Sequence, residues 1–385
     1  MKPIYFDNNA TTPIAPEVLD EMLPYFRQFY GNPSSMHTFG GQLHRKIEEA
    51  RAKIAALIGA EPEEIIFTSC GTESDNTALM SAVESYPQKR HVIATRVEHP
   101  AVLNFCKHLS RKGWRVTFLP VDSSGRLDMD AFLKAVDDDT AIVSIMYANN
   151  ETGVIFPIPE IGNILRERNI LFHTDAVQVA GKIPVNVKEL PVDMLSISGH
   201  KLHAPKGVGA LYVRKGTRFY PYIIGGHQER GRRAGTENVA SIIAFGKACE
   251  LAKEHLDKEA DYLKKLRDKL EGALLKLCPD AQINGDVKNR LPNTTNISFK
   301  YVEGEAILLR LDEYNICASS GSACTSGSLE PSHVLRAMGI PYTAIHGSIR
   351  FSLSRYNTEA EADKVIEVMP EIIKELRTLS PYGKG

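Results

Sequence analysis

The chain has 385 residues, 43% hydrophobic and 24% charged, with a formal net charge of -1. This length and apolar fraction suit one large domain plus a smaller one, each with a core. The balanced charge gives no electrostatic case for a nucleic-acid or anionic-membrane partner.

Residues 1–7 contain no signal-peptide h-region, and no apolar run is long enough to span a bilayer, so a soluble cytoplasmic protein is expected. From about residue 60 to about residue 215, short apolar β-rich runs alternate with helical stretches. Strands are predicted at 65–68, 92–95, 116–119, 142–145, 171–174, 194–197 and 209–213, and helices at, for example, 100–112 and 158–168. The strand runs are continuously apolar, as in strands buried on both faces. The expected architecture is α/β, with a mostly parallel seven-stranded sheet. A long helical region at 238–275 bridges to a smaller α+β unit with strands at 295–299 and 349–353 and a last helix from Thr358. The expected domains are 16–254, the large α/β domain, and 1–15 with 255–385, the small one.

Six cysteines (Cys70, Cys106, Cys249, Cys278, Cys317 and Cys324) are scattered without a C-x-x-C pair. The scatter argues against a disulfide framework and a structural zinc site. No metal site is expected, and an interesting cysteine should act alone as a nucleophile.

Five segments carry chemistry. Ser196-Ile197-Ser198-Gly199-His200-Lys201 follows a buried strand, at the strand end where open α/β sheets bind ligands. A lysine there can form a Schiff base with an aldehyde cofactor such as pyridoxal 5′-phosphate; the alternative is a surface lysine in a Gly-containing loop. His173-Thr174-Asp175-Ala176-Val177-Gln178 ends the preceding strand. Asp175 is placed to keep a pyridine nitrogen protonated, or else to cap the next helix. Thr68-Ser69-Cys70-Gly71-Thr72-Glu73-Ser74 lies between strand and helix, where free backbone N–H groups and the Thr72 hydroxyl could hold a phosphate; the alternative is an ordinary N-cap at Thr72. The segment lacks the Lys of a P-loop and the spaced glycines of a dinucleotide turn, so ATP and NAD are poorly supported. Val97-Glu98-His99-Pro100 places a histidine to stack on a ring and move protons near neutral pH, or simply to lead a helix. Ser319-Ser320-Gly321-Ser322-Ala323-Cys324-Thr325-Ser326-Gly327-Ser328 is nearly all small residues, so Cys324 is expected in a mobile loop, able to reach a substrate and then a partner. Cys317, on its apolar side, is expected to pack. Arg350, in the apolar strand Ile349-Arg350-Phe351, needs an anion: a substrate carboxylate, or an acid in a structural salt bridge.

Together these segments resemble the NifS/IscS group of cysteine desulfurases, within the fold-type I pyridoxal 5′-phosphate enzymes. The likeness extends to Asp7-Asn8-Asn9-Ala10-Thr11-Thr12, Tyr30-Gly31-Asn32-Pro33-Ser34-Ser35 and Asn149-Asn150-Glu151. The long Ser-rich loop around Cys324 is similar to this branch. The segments at 225–238 and 200–205 look more like NifS than IscS.

The resemblance implies Lys201 as the Schiff-base lysine, Asp175 beside the pyridine nitrogen and Gln178 on the ring oxygen. It implies His99 as stacking residue and acid/base, and Gly71, Thr72, Ser198 and His200 around the phosphate. Thr236 would reach the phosphate of the other subunit of a homodimer. Asn150 and Arg350 would bind the carboxylate of L-cysteine. Lys201 would remove the Cα proton, and the Cys324 thiolate would take the sulfur as a persulfide, releasing L-alanine. An iron–sulfur scaffold of the NifU/IscU kind would be the acceptor, placing the chain in iron–sulfur cluster assembly.

Overall fold

The computed structural model describes residues 3–320 and 331–380. After a two-residue strand β1 (Ile4–Tyr5), seven strands form the main sheet: β2 (Ile65–Thr68), β3 (His91–Thr95), β4 (Arg115–Leu119), β5 (Thr140–Ser144), β6 (Leu171–Asp175), β7 (Met194–Ser198) and β8 (Gly209–Val213). Their order is β2-β8-β7-β6-β5-β3-β4. Only β8 runs antiparallel to its neighbours; β3, β4, β5, β6 and β7 pair in parallel. All seven strands match the sequence expectation to within two residues.

Every residue of β2, β3, β5, β7 and β8 is buried, which is why these strands read as unbroken apolar runs. Successive side chains go to opposite faces. Ile65, Phe67, Ile93, Val143 and Leu195 enter one core cluster, and Ile66, Val92, Ala94, Ile142 and Met194 the other. The helices Gly71–Ser85 and Pro100–Arg111 cover the second face, contributing Leu79, Ala82, Val102 and Leu109. At the edge, β4 is partly exposed.

The remaining strands are β9 (Ala281–Ile283), β10 (Thr294–Phe299), β11 (Ile316–Cys317) and β12 (Ser348–Ser352). β12, β10 and β9 form an antiparallel sheet, and β1 pairs in parallel with β11. A third core cluster, with Phe6, Leu266, Ile297, Phe299, Ile349, Phe351 and Met369, lies here. The helix Val239–Leu277 has 39 residues, about 58 Å of rise. Ala244, Phe245 and Ala248 pack in the first cluster, and Leu263, Leu266 and Leu270 in the third. The last helix, Glu359–Leu379, starts at a capping box of Thr358 and Glu361.

Three features lay outside the sequence expectation: the helix Thr38–Ile58, the short strands β1, β9 and β11, and the course of residues 7–12. That segment runs between the two sheets. Asn8 Nδ2 donates to Ser352 O, Asn9 Nδ2 to Thr294 Oγ1, and Thr12 Oγ1 to His200 O. Among the described residues no helix is long and apolar enough to cross a membrane.

Candidate active site

The parallel strands deliver their carboxyl ends to one edge of the sheet, and most of the residues singled out from sequence gather there. Asp175 is the last residue of β6. Lys201 ends a single 3-10 turn, Gly199–Lys201, directly after β7. Lys201 is no surface lysine: its Nζ donates to Asn9 O and Ala10 O, both at 2.6 Å. Asp175 Oδ1 accepts from Val177 N at 2.9 Å, closing a local turn, and caps no helix. Burial pushes its carboxyl upward, against the Val177 amide and the Lys201 ammonium. Behind it, burial and then Asp175 itself push Asp75 well above the carboxylate range. His173, between Ser144 Oγ and Ser196 Oγ at 2.9 Å each, is pushed down to about 3 by burial.

The helix Gly71–Ser85 begins beside Ser198. Its N-cap residue is Cys70, not Thr72, and Cys70 makes no side-chain cap. The first-turn N–H groups therefore lack the usual side-chain acceptor. Ser198 Oγ is buried with no hydrogen-bond partner among the described residues. A Cβ on Gly71 would sit 2.9 Å from Val177 Cγ2 and 3.5 Å from Ser198 Cβ, so glycine keeps this cradle open. Thr72 is exposed at its mouth. His200 Nδ1 lies 3.1 Å from Thr11 Oγ1, and burial followed by Lys201 pushes its ring down to about 4. An unpartnered hydroxyl, free helix N–H groups and a nearby lysine fit a phosphate.

His99 both leads its helix and faces the site. Its Nδ1 accepts from Ala101 N at 3.1 Å, capping Pro100–Arg111. Burial, then Lys201 and His333, push the ring down to about 4. The ring is thus held towards its neutral form, with its stacking and proton-carrying roles unchanged as expectations. Its position is pinned by Glu98, which accepts from Thr95 Oγ1 at 2.7 Å and from Met146 N at 3.1 Å. Burial pushes Glu98 up to about 8. A cleft of about 790 Å³ opens beside Thr72 and His99, lined also by Asn76, Asn104 and Phe105; Lys201 and Asp175 do not line it.

Gln178 Nε2 donates to Asn9 O at 3.0 Å, and its Oε1 accepts from Lys182 Nζ at 2.9 Å. Asn150 follows an Asn149 turn in which Asn149 Oδ1 accepts from Glu151 N and Thr152 N. Its carbonyl accepts from Asn9 Nδ2 and Arg350 Nη1. Arg350 is buried and paired: Nη2 lies 2.7 Å from Asp7 Oδ1, so the salt-bridge alternative is the arrangement seen. Its Nε has no partner among the described residues, so the guanidinium still has N–H donors for a further anion. Thr236 is exposed in an irregular stretch, and no hydrogen bond joins it to the other site residues among those described. Cys317 is partly buried in β11, and burial raises its thiol. Cys324 and its expected loop lie outside the described residues from 321 on.

Sequence reasoning missed three contributors. Asp7 neutralises Arg350, the Asn9 and Ala10 carbonyls hold Lys201, and Lys182 grips Gln178. The 7–12 motif was visible, but its contacts, such as Asn9 to Thr294, span 285 positions.

The sequence matches the Aminotransferase class-V family over residues 4–365. The chain belongs to that family. Among its class-V relatives, a cysteine desulfurase of Nostoc sp. is 62% identical over 99% of this chain and 96% of its own. Cysteine desulfurase NifS of Azotobacter vinelandii is 56% identical over 100% of this chain and 96% of its own. A solved NifS-like protein superposes with a TM-score of 0.92 at 44% identity, covering 97% of this chain and 100% of that one. The lysine after β7 and the aspartate ending β6 both lie within the matched residues.

Proposed function

We propose that this class-V protein is a pyridoxal 5′-phosphate-dependent cysteine desulfurase, converting L-cysteine to L-alanine and taking the sulfur onto Cys324. The observation that carries the reading is the pairing of Lys201 and Asp175 at adjacent strand ends, beside a cradle with an unpartnered Ser198 hydroxyl. When bound, pyridoxal 5′-phosphate supplies an electron sink for charge developing at the substrate Cα.

The residues divide the remaining work. Lys201 anchors the cofactor and carries the Cα proton; the carbonyls of Asn9 and Ala10 aim its Nζ. Asp175 holds negative charge against the pyridine nitrogen, which would reverse its upward shift. Gly71, Thr72, Ser198 and His200 take the phosphate, and Gln178 the ring oxygen. His99 stacks and, being neutral, is able to accept the substrate thiol proton. Asn150 and Arg350 bind the carboxylate, with the Arg350 guanidinium shared between it and Asp7. The Cys324 thiolate bonds to the substrate sulfur as the carbon–sulfur bond breaks, so one persulfide forms per alanine.

The finer organisation follows the same reading. The protein acts in the cytoplasm as a homodimer, with Thr236 reaching the partner's phosphate site, and passes sulfur to an iron–sulfur scaffold of the NifU/IscU kind. Residues 16–254 form the cofactor domain, and 1–15 with 255–385 the smaller one. The long helix packing into both hydrophobic clusters supports a boundary near its middle.

The test is turnover of purified holoenzyme with L-cysteine, L-selenocysteine, or L-alanine plus a 2-oxo acid. Equal alanine and sulfide under reducing conditions is expected from cysteine. Cys324→Ser should keep the cofactor's absorption change on adding cysteine and release no sulfur. Sulfur release at the parent rate by that variant, or amino transfer to the 2-oxo acid in place of desulfuration, overturns the assignment.

A further inference from the structure

Lys182 stands just beyond the Asp175–Gln178 turn and makes one decisive bond, from Nζ to Gln178 Oε1 at 2.9 Å. The other end of that amide donates from Nε2 to Asn9 O at 3.0 Å, and Asn9 O also accepts from Lys201 Nζ at 2.6 Å. Lys182, Gln178, Asn9 and Lys201 are therefore linked in one chain of hydrogen bonds.

A glutamine amide can turn over with little change of shape, exchanging its donor and acceptor ends. Its neighbours decide which way it points. An ammonium only donates and a backbone carbonyl only accepts. With Lys182 on one side and Asn9 O on the other, a reversed amide would set N–H against N–H and oxygen against oxygen. One orientation survives, with the NH₂ group on the Asn9 side. Asn9 takes one of its two protons, and the second can serve an acceptor in the site.

Lys182 and Lys201 line one small cavity with Asn8, Thr12, Glu259 and Arg355. Glu259 lies 2.9 Å from Arg355, so its charge is largely matched there. Burial, then Lys201 and Arg350, push the Lys182 ammonium down to about 7, with Glu259 opposing. In its ammonium form Lys182 can only donate to Gln178 Oε1, and the Asn9 carbonyl opposes a reversed amide in either form.

We propose that Lys182 is a positioning residue that, by holding Gln178 Oε1, fixes the Gln178 amide as a hydrogen-bond donor to the ring oxygen of the cofactor carried by Lys201. This rests on the pyridoxal 5′-phosphate reading above. A donor at that oxygen favours the form in which the oxygen bears its charge alone. Lys182 thereby sets, through Gln178, the pH at which the bound cofactor changes protonation state.

The experiment is a pH titration of the near-ultraviolet and visible absorption of the substrate-free holoenzyme, for the parent, K182M, K182R, Q178L and K182M/Q178L. K182Q replaces K182M if the latter does not accumulate. In K182M the midpoint should rise by about one pH unit, the worth of one hydrogen bond to a charged oxygen. K182R, which keeps charge and donor, should stay within about 0.3 unit of the parent. Q178L should rise like K182M, and K182M should add nothing in the Q178L background. An unmoved midpoint in K182M, or an equal shift from K182M in both backgrounds, overturns the positioning role; the second result would mean direct action by charge. A parent lacking any cofactor absorption overturns the underlying reading, and this proposal with it.

Discussion

Arg350 Nη2 lies 2.7 Å from Asp7 Oδ1, joining a buried strand of the smaller sheet to the segment that holds Lys201. The guanidinium is 4% exposed and the carboxylate 19%. Removing the anion leaves a buried cation short of a partner. Asp7→Ala should lower the stability of the cofactor-free protein by about 1–3 kcal/mol in urea unfolding. Added cysteine should restore part of the loss to the holoenzyme if Arg350 receives the substrate carboxylate. A variant as stable as the parent would show that Arg350 is satisfied without Asp7.

A second buried pair joins the segment 225–238 to the helix Thr38–Ile58. Arg51 Nη1 and Nη2 donate to Glu229 Oε2 and Oε1 at 2.7 and 2.8 Å, and Phe67 N donates to Oε2 at 2.8 Å. Both side chains are at most 5% exposed. Glu229 also adopts a left-handed backbone, with φ of 49°, so the carboxylate's bonds hold a strained turn. Glu229→Ala should destabilise by about 1–3 kcal/mol, because the buried guanidinium loses its bidentate partner and keeps only Glu48 and the Ile65 carbonyl. Glu229→Gln should lose less, since it retains an acceptor. Chemical denaturation of the two variants, showing equal costs, would mean that the retained acceptor contributes nothing and that the lost charge sets the whole cost.

The strands of the large sheet were legible because most are short apolar runs buried on both faces and bounded by turn residues, with only the edge strand β4 largely uncovered. β1 and β11 were not, since two residues carry no periodicity and the pair exists only through Ile4 meeting Ile316. Asp175 and Lys201 could be read because strand ends place them. Asp7 could not, because its partner Arg350 lies 343 positions away, and Lys182 could not, because a lysine four residues after Gln178 reads equally well as a solvated side chain. Thr72 looked like the cap by residue type, but the backbone turns into the helix two positions earlier, at Cys70.

His173 offers a pH test with a definite sign. Burial holds its folded-state ring at about 3, below the usual value of 6.5. The unfolded chain therefore binds a proton that the folded one refuses. Stability from this site is complete above pH 6.5 and falls as pH drops towards 3, by about 1.4 kcal/mol per unit. His173→Gln keeps hydrogen-bonding ends without titrating. The stability difference, parent minus variant, should fall between pH 6.5 and 4.5. A difference independent of pH over that range would mean that His173 titrates normally.

Ser198→Ala separates the cost of the phosphate cradle from its use. Ser198 Oγ is buried without a hydrogen-bond partner among the described residues. Deleting such a hydroxyl removes a desolvation cost and breaks no bond. The cofactor-free variant should be as stable as the parent or more so, by up to about 1 kcal/mol. Bound pyridoxal 5′-phosphate should lose one hydrogen bond to a charged oxygen, weakening its affinity by about tenfold. Differential scanning calorimetry of the cofactor-free proteins, with equilibrium dialysis of the cofactor, reads both effects. Opposite signs are expected from a hydroxyl kept for a ligand. A variant that is less stable and binds the cofactor normally would assign Ser198 a structural role instead.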